Sequence, residues 1–133
     1  MAAAPGPAAL TDTDILIDAS RGVPVAVSWV ATETAAARLA VSVVTAMELV
    51  QGCRNRAALV QLRQLLRRIR IVPVEGGISG TAFGLMDTYF LSHGLVIPDA
   101  LIAATALEHG LTLYTGNVRD FQIIPALVVV RPC

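Results

Sequence analysis

The sequence reads as an α/β fold, a central parallel sheet of about four to five strands with helices on both faces. Three observations predict it. Short apolar or β-branched runs alternate with longer segments of helical periodicity along the 133 residues. Hairpin signals between these runs are few, so successive strands need crossover connections and run parallel. Hydrophobic residues make up 55% of the chain and charged residues 15%, which suits a sheet buried on both faces and excludes intrinsic disorder.

The elements follow in order. Residues 8–11 form a short buried strand, and residues 14–21 a helix. Pro24 opens a second helix, 24–39, with Ala-rich turns. Residues 40–44 (AVSVV) are a largely β-branched run suited to a strand. Residues 45–52 are helical and close on Gly52. Residues 55–70 carry Leu59, Leu62, Leu65 and Leu66 at helical spacing, and residues 69–74 read as a strand. Helices over 78–93 and 98–109 each end on His before Gly. Strands at 111–114 and 127–130 complete the order. Residues 1–7 read as a flexible leader, because Pro5 and Pro7 interrupt them and no basic segment makes a signal peptide. Residues 8–133 read as a single domain.

Charge and cysteine usage narrow the chemistry. All ten basic residues are Arg, which removes every mechanism that needs a catalytic Lys. Ten acids balance them, so any attraction for nucleic acid has to come from local clustering. Cys53 and Cys133 lack metal-site spacing and indicate a reducing compartment, so a cytoplasmic location is expected. No run reaches the ~18 apolar residues of a spanning helix, and no membrane partner is expected.

In parallel sheets ligands sit at the carboxyl ends of strands. Asp12 and Asp14 follow the first strand, Glu48 follows the second, Asp99 opens a helix, and Asn117 and Asp120 follow the strand LTLYT. Each has a structural reading. Thr45-x-x-Glu48 fits a capping box. Pro98 suits the first helical position, which makes Asp99 a dipole complement at the second. Asp12 and Asp14 can cap the first helix, and Asn117 can cap a turn. Jointly they stand where the fold class places a ligand site. Gathered carboxylates raise one another's pKa unless a cation neutralises them, and a hard divalent ion, Mg²⁺ or Mn²⁺, suits all-oxygen ligands.

The segments LTDTDILID, SVVTAMELVQG and IPDALIAATALEHGLTLYTGNVRDF resemble a PIN domain, and within it the VapC-type toxin ribonucleases of bacterial toxin–antitoxin systems. The resemblance spans residues 10–130 and implies a three-layer α/β/α, Rossmann-like fold. It carries the family's acids onto Asp12, Glu48, Asp99 and Asp120 as catalytic and metal-holding groups, with Asn117 as the alternative in the fourth motif. Asp14 stands where the family often has Asn, and it joins the metal-site set. Thr13, Ser42 and Thr115 are candidates for a small hydroxyl near the site. The implied activity is metal-assisted hydrolysis of RNA phosphodiesters, in transfer RNA or ribosomal RNA, leaving a 3′-hydroxyl and a 5′-phosphate. The implied partners are a VapB-like antitoxin that lays an apolar segment into a groove, and a second copy in a homodimer.

Six of the ten Arg fall between positions 54 and 70, and Arg56, Arg63, Arg67 and Arg70 share one helical face. Singly, each is a solvated side chain; together Arg54, Arg56, Arg63 and Arg67, with Arg119, can draw RNA phosphates towards the acids. Tyr89, Phe90 and Tyr114 read as core rather than base-stacking residues, and Trp29 as packing. His93 and His109 read as helix-end residues, which argues against a His-based nuclease. A haloacid-dehalogenase-like phosphatase would need a small hydroxylated residue where Leu16 stands, and a receiver domain would need a Lys. The competing function is a catalytically silent PIN-like module that binds RNA or protein.

Overall fold

The structure is a computed structural model and describes residues 8–132, so the leader expected at residues 1–7 and Cys133 lie outside the described residues. The strands are β1 (Ala9–Thr11), β2 (Leu39–Ser42), β3 (Arg70–Val72), β4 (Thr112–Tyr114) and β5 (Val129–Val130). The helices are α1 (Thr13–Ser20), α2 (Pro24–Ala35), α3 (Val43–Gln51), α4 (Arg56–Leu66), α5 (Gly77–His93), α6 (Ile97–His109) and α7 (Val118–Phe121). The five strands are all parallel, in the order β3-β2-β1-β4-β5. The order reverses at β1, so the carboxyl ends of β1 and β4 flank the switch point where such sheets leave a crevice.

Alternation along the strands divides the core in two. Leu10, Ala40 and Leu113 face α5 and α6, where they meet Ile78, Ala82, Ile102, Ala103 and Phe121. Ala9, Leu39 and Val41 face the other way, onto Ile15, Leu16 and Val30 of α1 and α2. The helix α6 is buried almost all round, and its run of Ala residues lets it lie close to both α5 and the sheet. No single helix among the described residues is long and apolar enough to cross a membrane.

Several boundaries depart from expectation. The second helix stops at Ala35, not 39, because Ala37 takes a left-handed φ of 56° and turns the chain into β2, which starts at Leu39. The second strand ends at Ser42, and Val43 and Val44 are helical. Ser42 caps α3 by accepting the Val44 N–H at 3.1 Å, so Thr45 and Glu48 form no capping box. The helix expected over 55–70 begins after its Asn55 cap but closes at Leu66, since the chain must turn to bury Ile69 and enter β3. Ile97 occupies the first position of α6, which moves Pro98 to the second and Asp99 to the third. The four-residue α7 was not expected; it forms because Phe121 is fully buried against the α5–α6 side of the sheet. His93 and His109 do end their helices, each before a left-handed Gly.

Phe121 thus anchors the segment that carries Asp120. Phe121→Ala is expected to cost about 3–5 kcal/mol by chemical denaturation. A loss below about 1 kcal/mol would show that α7 is not anchored through this ring.

Candidate active site

Asp12 leaves the end of β1 and caps α1, its Oδ1 accepting the Thr13 N–H at 2.7 Å. Its own N–H donates to the Tyr114 carbonyl at 2.9 Å, extending the β1–β4 ladder by one residue. The partner strand then delivers Thr115, whose Oγ1 donates to Asp12 Oδ2 at 2.8 Å and accepts the Asn117 N–H at 2.9 Å. Both oxygens of a carboxylate that is only 5% exposed are therefore held.

A second link joins the residue after Thr115 to the residue two beyond Asp12, in the first turn of α1. Gly116 N–H donates to Asp14 Oδ2 at 2.9 Å. A Cβ on residue 116 would lie 2.6 Å from that oxygen, so only glycine lets the carboxylate close onto the backbone. Asp14 Oδ1 is buried and has no hydrogen-bond partner. Glu48, a turn and a half into α3, reaches the same edge, where Thr13 Oγ1 donates to its Oε1 at 2.7 Å. Asp99 comes from the first turn of α6 and is half-buried. Asp120 is exposed on α7, and Asn117 precedes that helix without a side-chain cap bond.

Burial and neighbouring charge act on these carboxyls together. Burial pushes the Asp99 carboxyl up to about 6, and the charges of Asp12, Asp120, Glu48 and Asp14 push it the same way. Burial likewise raises Asp12 to about 6, against the Thr115 hydrogen bond and with the charges of Asp14 and Glu48. Asp14 is raised by burial, with the Gly116 N–H opposing. Asp120 is near enough for its charge to bear on Asp99. Yet among the described residues no three His, Cys, Asp or Glu side chains converge into a ready coordination set. Glu48 and Asp14 are turned to Thr13 and Gly116. The donor chemistry still fits a hard cation: every group is a carboxylate, two are raised by burial and mutual charge, and one buried oxygen lacks a partner.

Of the three candidate hydroxyls, Thr115 holds Asp12 and Thr13 holds Glu48, whereas Ser42 is spent on capping α3. Gly116 escaped the sequence reading; the signal was a glycine directly after a strand end, in YTGN. The arginines do not form one face. Arg54 and Arg56 flank the turn between α3 and α4, and Arg63 lies on α4. Arg67, Arg68 and Arg70 stand where β3 enters the sheet, at the edge opposite the acids, because α4 ends before them. All of these, and Arg119 on α7, are exposed. The one ion pair among the described residues is Arg38–Glu33, at 3.1 Å. Phe90, expected in the core, is 54% exposed on the outer face of α5.

The family model described as the PIN domain matches residues 9–126. The chain belongs to the PIN domain family. A curated relative, Ribonuclease VapC10 of Mycobacterium tuberculosis, is 37% identical over 119 residues, which cover 89% of each protein. Among solved structures, a toxin–antitoxin complex from Klebsiella pneumoniae is similar with a TM-score of 0.78 and 34% identity, covering 94% of this chain and 98% of that one. DNA-bound VapBC from Salmonella typhimurium shares the fold, with a TM-score of 0.82 at 20% identity over 96% of this chain and 99% of that one. These likenesses agree with the three-layer PIN architecture described above.

The raised carboxyls give a pH dependence with a defined sign. Asp12 and Asp99 bind protons more tightly folded, near 6, than at their ordinary 3.8. Folding is favoured by protonating them, so stability in the presence of a chelator falls as pH rises from about 4 to about 7, by on the order of 2 kcal/mol per group. Millimolar Mg²⁺ is expected to flatten that slope by neutralising the ionised forms. Thermal melts across this range, with and without the ion, check both points.

Proposed function

We propose that this PIN domain, spanning residues 8–133, is a metal-dependent endoribonuclease of the VapC toxin type. The observation that carries the reading is the placing of Asp12, Asp14 and Asp99 at the β1–β4 switch point, with Glu48 tied to Thr13 beside them and the charges of Glu48 and Asp120 bearing on Asp99. The name of its relative, a ribonuclease at 37% identity, and its likeness to a toxin–antitoxin complex at 34% support it.

In this reading Asp12, Glu48, Asp99 and Asp120 hold Mg²⁺ or Mn²⁺, with Asp14 and Asn117 as further oxygen donors. When bound there, such an ion would supply activation of a water and stabilisation of charge on the phosphate. The chain's own residues orient. Thr115 and the Thr13 N–H fix Asp12 so that its carboxylate does not rotate away, and Thr13 steers Glu48. Asp99 reaches the edge from the first turn of α6, and one of the carboxylates would help deprotonate the attacking water. The substrate is a phosphodiester of transfer or ribosomal RNA, and the products carry a 3′-hydroxyl and a 5′-phosphate. Arg54, Arg56, Arg63, Arg67 and Arg119, exposed and outside the Arg38–Glu33 pair, draw the RNA backbone to the surface.

Two apolar surfaces suit the partners. A groove of about 330 Å³ between α1, α2 and α4 is lined by Leu16, Ala19, Val30, Ala31 and Leu65, with Arg68 at its rim. It fits an apolar segment of a VapB-like antitoxin. Phe83, Phe90, Leu91 and Ile97 are exposed on α5 and the start of α6, and suit burial against a second copy in a homodimer. The site of action is the cytoplasm, where these RNAs reside.

A silent binding module is the second reading, favoured by the acids that turn to Thr13 and Gly116 instead of towards one another. Cleavage separates the two. Purified protein is expected to cut RNA only with Mg²⁺ or Mn²⁺, and Asp12→Ala or Asp99→Ala to lose at least about 100-fold of the rate. Equal cutting by the variants would trace the activity to another site or a contaminant. RNA binding is expected to weaken steeply as salt rises.

A further inference from the structure

Trp29, the only tryptophan, does more than pack. It sits in the middle of α2, half-buried, with its ring against Tyr114 at a centroid distance of 4.8 Å and an angle of 38°. Beside it a cleft of about 480 Å³ opens between α2 and the chain that leaves β5. Pro24, Val25, Trp29 and Pro132 give it flat apolar walls, and Ser28 and Thr32 add exposed hydroxyls. The cleft is shallow and open to solvent, a surface on which a flat group can lie.

Its place in the fold joins it to the carboxylates. Tyr114 supports the ring, its carbonyl accepts the Asp12 N–H at 2.9 Å, and the residue after it, Thr115, holds the Asp12 carboxylate. Arg131 and Pro132 follow β5, whose carboxyl end lies on the same edge as that of β4. Arg131 is exposed, and its charge reaches Asp14. Arg131 thus adjoins the cleft residue Pro132 along the chain, and its charge bears on the acid Asp14.

We infer that the Pro24–Trp29–Pro132 cleft is a stacking subsite for one unpaired base of single-stranded RNA, one or a few nucleotides from the phosphodiester at the carboxylates. This rests on the ribonuclease reading. Unpaired bases are bound by stacking on aromatic rings, whereas a duplex offers no free base face. A nucleotide matches the cleft's combination of flat walls, hydroxyls for a base edge and an arginine for the adjoining phosphate.

The test uses the full chain carrying Asp12→Ala, which binds without cutting, and a labelled single-stranded RNA of about ten nucleotides together with its abasic-substituted series. RNA is expected to quench Trp29 fluorescence. Adding Trp29→Leu is expected to weaken binding about 5- to 100-fold, and Trp29→Phe, which keeps a stacking face, to retain most of it. The deciding readout is coupling. One abasic position should cost the Asp12→Ala protein a similar factor and cost the Trp29→Leu form almost nothing, which a purely structural role for Trp29 would not produce. If the RNA binds and no position couples to residue 29, in the Leu or the Phe form, the subsite is overturned while the ribonuclease reading stands. If this RNA does not bind at all, the subsite is overturned, and metal-dependent cleavage by the unsubstituted protein decides the ribonuclease reading separately. Quenching by an apolar helical peptide and by no RNA would reassign the cleft to a protein partner and also overturn the inference.

Discussion

The hydrogen bond from Thr115 Oγ1 to Asp12 Oδ2 joins the two strands on which the site is built, at the point where the strand order reverses. It is a contact between residues 103 positions apart, and the fold is arranged so that it can form. β1 must be central and parallel to β4 for Thr11 to pair with Tyr114 and so bring Asp12 beside Thr115. β4 can reach that position only because α5 and α6 carry the chain back across the sheet, packed on Leu10, Ala40 and Leu113. The same crossover brings the first turn of α6, and Asp99 with it, to the carboxyl edge.

Like charges held together this way store electrostatic tension. The protein meets it locally rather than with basic partners: backbone N–H groups serve Asp12 and Asp14, and threonine hydroxyls serve Asp12 and Glu48. None of the ten arginines forms an ion pair with these acids among the described residues. The cluster is thus held in shape without being neutralised, which leaves its charge available to a cation. Asp14 shows the balance most clearly. Its Oδ2 closes onto the Gly116 backbone, and its Oδ1 is left buried without a partner.

Around this edge the surface divides by chemistry. The α1–α2–α4 groove and the outer face of α5 are apolar, the arginines are spread over the turns that flank α4 and over α7, and the Trp29 cleft lies between α2 and the end of β5. Polar and apolar contacts with different partners can therefore be made without competing for the same residues.

The amino-acid sequence by itself determined the alternating α/β order and the parallel sheet, and it put Asp12, Asp14, Glu48, Asp99, Asn117 and Asp120 forward as candidates for one edge, from which the family resemblance singled out Asp12, Glu48, Asp99 and Asp120. Periodicity and β-branched runs are local properties, and the rule that ligands meet strand carboxyl ends needs only the element order. Boundaries set by competition were not legible. Val43 and Val44 favour a strand, yet Ser42 caps a helix that takes them in. Tertiary structure decided the roles of Thr115 and Gly116, the freeing of Glu48 from capping and the dispersal of the arginines. Each of these depends on which residues meet across the sheet, and no periodicity within a single segment encodes a meeting between Asp14 and Gly116, 102 positions apart.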